Sequence, residues 1–366
     1  MSDMYYQKLA TVLTRYSLPI EAGHEVAIMC DVAAQDAALE VYKEVLKLGA
    51  YPTLLASFGN ARDYVFMYGT EDQIAHKSYL LRELYTHTDH LIRLVADENT
   101  KVLSNVEPRL IALQQTSLRD IVDIMMERET RGEYHWTLTV IPTNAMAQEA
   151  GMSLDDYRAF VFGAELLDDA DPIASWQEVS RSQQHWCDWL TKRSDFRFVG
   201  KDTDLSMSCA GRTWVNCDGK KNFPDGEVFT GPVEDSVNGT IRFTYPLIYL
   251  GNEIEDVRLT FRDGEVVEAS AAKGEALLKE ILSIEGARRV GEIAIGTNYG
   301  ITRFTKHMLF DEKIGGTMHL AIGRSIPESG GKNVSAIHLD ILKDMRDGGK
   351  VYADGELFYE NGVFKE

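Results

Sequence analysis

Turn signals divide this chain into two halves that fold by different rules. After about residue 196 the sequence carries the pairs Asn238-Gly239, Gly251-Asn252, Asp263-Gly264, Asp354-Gly355 and Asn361-Gly362. Each favours a tight hairpin, because the central residues of such a turn need positive φ. Hairpins join antiparallel strands, so this part predicts a hairpin-rich mixed α+β domain with one helix at roughly 273–283. The first half predicts the opposite. The apolar runs EVAIMC, PTLLAS, DHLIRLVAD and HWTLTVIP read as strands. The helical patterns AAQDAALEVYKEVLKLG, EDQIAHKSYLLREL and roughly 107–131 separate them. That β-α-β-α order implies an α/β domain with a doubly wound, mostly parallel sheet. Helical spacing resumes from Ser153, where Ser153 and Asp156 suggest a capping box, and continues to about 193. The expected domains are therefore 1–195 (N-terminal α/β) and 196–366 (C-terminal α+β).

Composition narrows the partners. The chain has 366 residues, too many for one ordinary core, and its 44% hydrophobic and 26% charged residues describe a globular protein. A net charge of −19 argues against nucleic acid and against anionic membrane surfaces. No apolar run is long enough to span a bilayer, and MSDMYYQKLATVL lacks the pattern of a signal peptide. No G-x-G-x-x-G follows the first strand, so a dinucleotide site is not expected. Cys30, Cys187, Cys209 and Cys217 form no C-x-x-C pair and read as buried thiols in a reducing, cytoplasmic setting.

Five ionisable side chains break the apolar pattern of the C-terminal strands: Glu227 in GEVFT, Glu292 in GEIAIG, His319 in TMHLAIG, and His338 with Asp340 in SAIHLDIL. Residues i and i+2 of a strand share a face. His338 and Asp340 therefore project together, opposite Ile337, Leu339 and Ile341. His319 stands opposite Met318, Leu320 and Ile322, and Glu292 opposite Ile293 and Ile295. An ordinary solvent-facing sheet is the alternative, but the neighbours are Ala, Thr and Gly rather than the Lys, Glu and Thr of a wetted face. Three carboxylates and two imidazoles without a thiolate suit Zn, Co, Mn or Fe(II) better than a structural zinc. Five donors exceed what one catalytic ion takes from protein and suit two ions sharing a carboxylate.

The same stretches carry a resemblance. KNFPDGEVFTGPVEDSVNGTI, GARRVGEIAIGTNYGITRFTKHMLFDEKIGGTMHLAIG and GGKNVSAIHLDILKDMRDGGKVYADGELF are similar to the aminopeptidase T family of metallopeptidases. Weaker similarity continues upstream to about residue 90. The resemblance implies a cytoplasmic homodimer that removes N-terminal amino acids from small peptides. It implies two divalent metal ions per chain (Zn, Co or Mn) held by Glu227, Glu292, His319, His338 and Asp340, with Glu292 as the bridging, catalytic carboxylate. One position departs: many members carry a tyrosine seven residues after the strand histidine, where this chain has Ile326. The family's longer insertion between its two histidine strands is also missing.

The alternative is a non-haem Fe(II) ring-cleaving dioxygenase of the 2,5-dihydroxypyridine dioxygenase type. That family resembles the peptidases in fold and would use His319, His338 and Asp340 with iron. Both glutamates argue against it; Ile326 argues for it. Asp311 and Glu312 are candidates for orienting an imidazole. His87 and His90 are expected at the surface, and Arg303 and Lys306 read as exposed charges.

Overall fold

The four strand-like runs of the first half pair as a parallel sheet in the computed structural model, which describes residues 2–365. Glu25–Asp31 lies between Tyr51–Ser57 and His90–Val95, and His135–Val140 follows. Val26, Ala27 and Ile28 are all buried in succession. A strand covered on both faces reads this way, which is why its sequence shows no alternation. The expected parallel sheet is present, with a fifth strand, Asn222–Phe223, at its edge.

The helices differ in detail from their sequence signals. The stretch 107–131 is two helices, Pro108–Ser117 and Arg119–Thr130. At the break the Leu118 N–H reaches the Gln115 carbonyl, only three residues back. EDQIAHKSYLLREL also divides, into Glu71–Ile74 and Tyr79–His87. Helix Gly59–Tyr68 had no clear signal, because Tyr64, Val65, Met67 and Tyr68 are exposed and leave no apolar stripe against polar residues. Ser153 caps helix Leu154–Ala164 by accepting the Asp156 N–H at 3.1 Å. Its hydroxyl then donates to the Asp156 carboxylate at 2.7 Å, so the return bond runs side chain to side chain.

The chain divides into Met1–Ile173 with Gly219–Phe223, and Ala174–Asp218 with Pro224–Glu366. The cut thus falls at 173–174 rather than near 195. The reason is helix Pro172–Leu190: its Cys187 and Leu190 belong to the core of the second unit, and its Trp186 stacks on Phe364 at 4.4 Å. A sequence boundary placed where helices give way to strands assigns that helix to the wrong core.

In the second unit, eight strands form one antiparallel sheet, from Glu265–Ser270 at one edge to Val363–Phe364 at the other. Five more form a second, in the order His338–Asp344, Thr317–Gly323, Val290–Gly296, Glu227–Thr230, Val215–Cys217. Asp263-Gly264, Asp354-Gly355 and Asn361-Gly362 are hairpin turns with positive φ at both residues. The turn read as Gly251-Asn252 sits one residue earlier, at Leu250-Gly251. Asn238-Gly239 is not a turn and begins strand Asn238–Arg242. Gly239 is required there because a Cβ would meet the Asp204 carbonyl oxygen at 2.1 Å. The helix expected at roughly 273–283 is Glu275–Ile281, and a short second one, Met308–Asp311, lies further along.

Candidate metal centre

Cross-strand register places all five ionisable residues on one face of the second sheet. His338 lies opposite Gly323 and Asp340 opposite Ala321. Ala321 lies opposite Glu292, His319 opposite Ala294, and Gly296 opposite Glu227. Directly opposed residues share a face. The floor between the ionisable groups is therefore Ala294, Ala321, Gly296 and Gly323, small enough to leave room above it. The other face carries Ile293, Ile295, Met318, Leu320, Ile322 and Ile341, all buried in the core.

Glu292 owes its place to a bulge. Val290 pairs with Ile322, and Glu292 pairs with Ala321, so Gly291 has no partner. The extra residue lets Val290 return to the core while Glu292 points to the opposite face. Only glycine fits, because a Cβ at 291 would sit 2.3 Å from the Arg324 carbonyl oxygen.

The side-chain tips converge. His319 Nε2 lies 3.2 Å from Glu292 Oε1, 3.5 Å from Glu227 Oε2 and 3.7 Å from Asp340 Oδ1. His338 Nε2 lies 3.4 Å from Glu292 Oε2 and 3.5 Å from Asp340 Oδ1. Two overlapping donor sets result, Glu227 with Glu292 and His319, and Glu292 with His338 and Asp340. Glu292 belongs to both, one oxygen turned toward each histidine.

Main-chain carbonyls fix both imidazoles. His319 Nδ1 donates to the Glu312 carbonyl at 3.1 Å, and His338 Nδ1 to the Arg324 carbonyl at 2.6 Å. A carbonyl only accepts, so Nδ1 carries the proton and Nε2 faces the carboxylates. The side chains of Asp311 and Glu312 do not orient an imidazole, contrary to expectation. Asp311 accepts the Thr305 N–H and hydroxyl and holds its own loop, while Glu312 pairs with Lys313.

Several residues of the site had no sequence signal. Lys313 is almost fully buried, with Nζ at 2.5 Å from Glu227 Oε1, 2.8 Å from Glu312 and 3.3 Å from Asp225. Cys217, read as a plain buried thiol, lies within ligand-atom reach of Asp225 and Glu227. Gln183 donates to the Glu227 main-chain carbonyl at 3.3 Å and to that of Cys217 at 2.9 Å, tying two strands together. Of the remaining candidates, His87 is exposed and pairs with Glu83, and Lys306 pairs with Glu253. His90 is buried, not superficial; it lies 2.9 Å from His24 Nδ1 at the start of its strand, where a parallel sheet rarely binds ligands.

The charge balance is extreme. Burial works to lower the pKa of His319, but the charge of Glu227 and the Glu292 hydrogen bond outweigh it and hold the pKa above the ordinary imidazole value. Burial likewise works against His338, and Asp340 and Glu292 hold it up. Burial alone would raise Asp340, yet His338 and His319 hold it below the usual carboxylate range. Glu227 Oε2, Glu292 Oε2 and Asp340 Oδ1 are buried without a hydrogen-bond partner. Buried carboxylate oxygens that accept no hydrogen bond are costly, and a cation among them satisfies all three. The donor set thus fits divalent metal in both composition and arrangement.

Comparison with known proteins agrees. The model of the thermophilic metalloprotease family (M29) matches residues 3–364. The chain belongs to the M29 metalloprotease family. Aminopeptidase 2 of Geobacillus stearothermophilus is 28% identical over 92% of this chain and 90% of its own length. Aminopeptidase T of Thermus thermophilus is 27% identical over 95% of both. The solved structure of wild-type AmpT from Thermus thermophilus has a TM-score of 0.85 at 24% identity, covering 99% of both chains, and shares the fold. The 2,5-dihydroxypyridine dioxygenase of Pseudomonas putida KT2440 has a TM-score of 0.58 at 13% identity, covering 99% of this chain and 96% of its own. The M29 chain is accordingly an enzyme, a hydrolase of the metallo-aminopeptidase class. Among the described residues, no helix is long and apolar enough to cross a membrane.

Proposed function

We propose that this M29 chain removes N-terminal amino acids from small peptides, using two divalent ions held by Glu227, Glu292, His319, His338 and Asp340. The observation that carries the proposal is the pair of donor sets joined through Glu292, with three buried carboxylate oxygens that accept no hydrogen bond. When bound, the ions supply an acidified water as nucleophile and a Lewis acid for the scissile carbonyl. Glu292 joins the two sets, and the carbonyl-anchored imidazoles present Nε2 without rotating. The acidic surroundings receive the free ammonium of the substrate, which restricts cleavage to the first bond. The test is hydrolysis of unblocked peptides and amino-acid amides after loading with Zn, Co or Mn. N-acetylated peptides should be inert, and equal cleavage of both would overturn the assignment.

Ile326 supports the competing ring-cleaving reading, because it can donate no hydrogen bond to a tetrahedral oxyanion. It is half-buried and immediately precedes the turn Pro327–Ser329. The glutamates favour the peptidase, since a single iron on His319, His338 and Asp340 has no need of Glu227. If the iron-loaded protein consumed O₂ with a hydroxylated pyridine while no metal supported peptide cleavage, the dioxygenase reading would replace the peptidase. Under the peptidase reading, Ile326→Tyr should raise kcat on a leucyl amide by about 10-fold or more, given that one oxyanion donor is worth on the order of 10²–10³. An unchanged or lower kcat would show that Ile326 does not stand where a donor is needed.

Metal uptake should release protons. Both imidazoles are held protonated in metal-free protein, and a ligating Nε2 must be neutral. Their pKa values lie above 7, so near neutral pH binding expels protons, and apparent affinity rises with pH until the imidazoles titrate. Each released proton contributes about tenfold in affinity per pH unit. Calorimetry in buffers of different ionisation enthalpy counts those protons; a count of zero at pH 7 would refute this account.

We also propose a cytoplasmic homodimer. Four free cysteines suit a reducing compartment. Leu54, Leu55, Phe58, Tyr64, Tyr68, Tyr79 and Leu80 are exposed within 54–80, with Phe58 at 71% and Tyr68 at 76%. Large apolar residues concentrated in this way suit subunit association. Sedimentation at micromolar concentration should give twice 41.1 kDa; a mass of one chain would refute it.

A further inference from the structure

The carboxylates of the centre are not equivalent, and the difference lies in Lys313. Its ammonium is held by Glu227, Glu312 and Asp225, with 2% of the side chain exposed. Glu227 is therefore divided. Oε1 is engaged with Lys313 at 2.5 Å, and only Oε2 faces His319. Glu292 and Asp340 make no such contact with the ammonium: the two oxygens of Glu292 face His319 and His338, and Asp340 Oδ1 faces both imidazoles.

We infer that Lys313 makes the two donor sets unequal, so that Glu292, His338 and Asp340 fill first and tightly, and Glu227, Glu292 and His319 fill second and weakly. The inference rests on the two-ion reading. Its physical basis is that a fixed positive charge beside one donor set repels an incoming dication and draws electron density from the carboxylate that would bind it. Glu312 and Asp225 return negative charge to the ammonium, so the lasting difference is local: Glu227 Oε1 is bound to Nζ and only Oε2 is left for an ion. Lys313 acts on Asp340 only from further off and after the two imidazoles, with no ion pair between them among the described residues, which is why the sets differ although each has one imidazole and two carboxylates. The enzyme would then pass through a state with one ion, and its activity would follow free metal concentration over the range in which the second set fills.

The direct test is titration of the metal-free, full-length protein with Co²⁺, read by calorimetry and by the visible absorption of the bound ion. Two steps separated by at least about tenfold are expected in the wild type. Lys313→Met alone removes the ammonium that three acids share and is at risk of misfolding, so the informative variant is Lys313→Met with Asp225→Asn, which removes one charge of each sign. In that variant the gap should narrow by about tenfold or more, with the tighter step little changed. Lys313→Arg, which keeps the charge, should preserve the gap. One ion in the wild type and two in the double variant would support the inference in its strongest form. Two equal steps in the wild type, or a gap unchanged by the double variant, would overturn it and leave the two-ion reading standing. A single ion in every protein at saturating Co²⁺ would overturn the two-ion reading and the inference with it.

Discussion

Glu292→Gln is expected to yield a folded protein that retains less than one tightly held divalent ion per chain and has lost peptide hydrolysis by a factor of at least about 10² to 10³, the scale set by losing one oxyanion donor. The substitution conserves volume and keeps an amide where the carboxylate hydrogen-bonds His319. It removes the one negative charge common to both donor sets, so both affinities fall together. The amide nitrogen also turns one acceptor into a donor, which cannot face a cation. Metal content after gel filtration and kcat/KM on a leucyl amide measure the two effects. Activity within about tenfold of wild type, at full metal content, would remove Glu292 from the centre.

Gly291→Ala is expected to destabilise the fold by about 3 kcal/mol, the upper part of the range for overpacked sites. Its Cβ would meet the Arg324 carbonyl oxygen at 2.3 Å and the Gly323 carbonyl oxygen at 2.6 Å, both main-chain atoms that cannot swing aside. Relief requires parting the strands of Glu292 and His319 or undoing the bulge. Undoing the bulge would slip the register by one residue and send Glu292 toward the core. Stability and metal content should therefore fall together. The urea midpoint, at unchanged m, gives the first; a loss of stability below about 0.5 kcal/mol would show that the bulge yields without cost.

The legible part of the candidate site is the part carried by strands. Period-two alternation put His338 and Asp340 on one face and left Glu292 and His319 opposite apolar residues, and the sheet register brings those faces together. Residues on connecting segments escaped. Lys313 and Asp225 lie between regular elements, where no periodicity separates a buried ion pair from a wet loop. What the sequence displays at Asp311 and Glu312 is two carboxylates, whereas the group that holds His319 is the Glu312 carbonyl, which every residue type possesses. The parallel sheet was legible because its strands are apolar runs between long helices. The boundary was not, because helix Pro172–Leu190 follows the helices of one core in sequence and packs into the other in space. Asn238-Gly239 misled for a related reason: its glycine answers a crowding contact with Asp204 on the neighbouring strand, and local sequence cannot report that.

Because the two imidazoles are pinned by peptide carbonyls, their orientation is indifferent to which side chains stand at 312 and 324. Mutational drift can recolour those positions without turning either ring, so long as the backbone path is kept. The evolvable part of this centre is then its rim, and a chemist seeking new substrates could randomise 324 with less risk to the imidazoles than sequence proximity suggests, while 312 stays tied to Lys313.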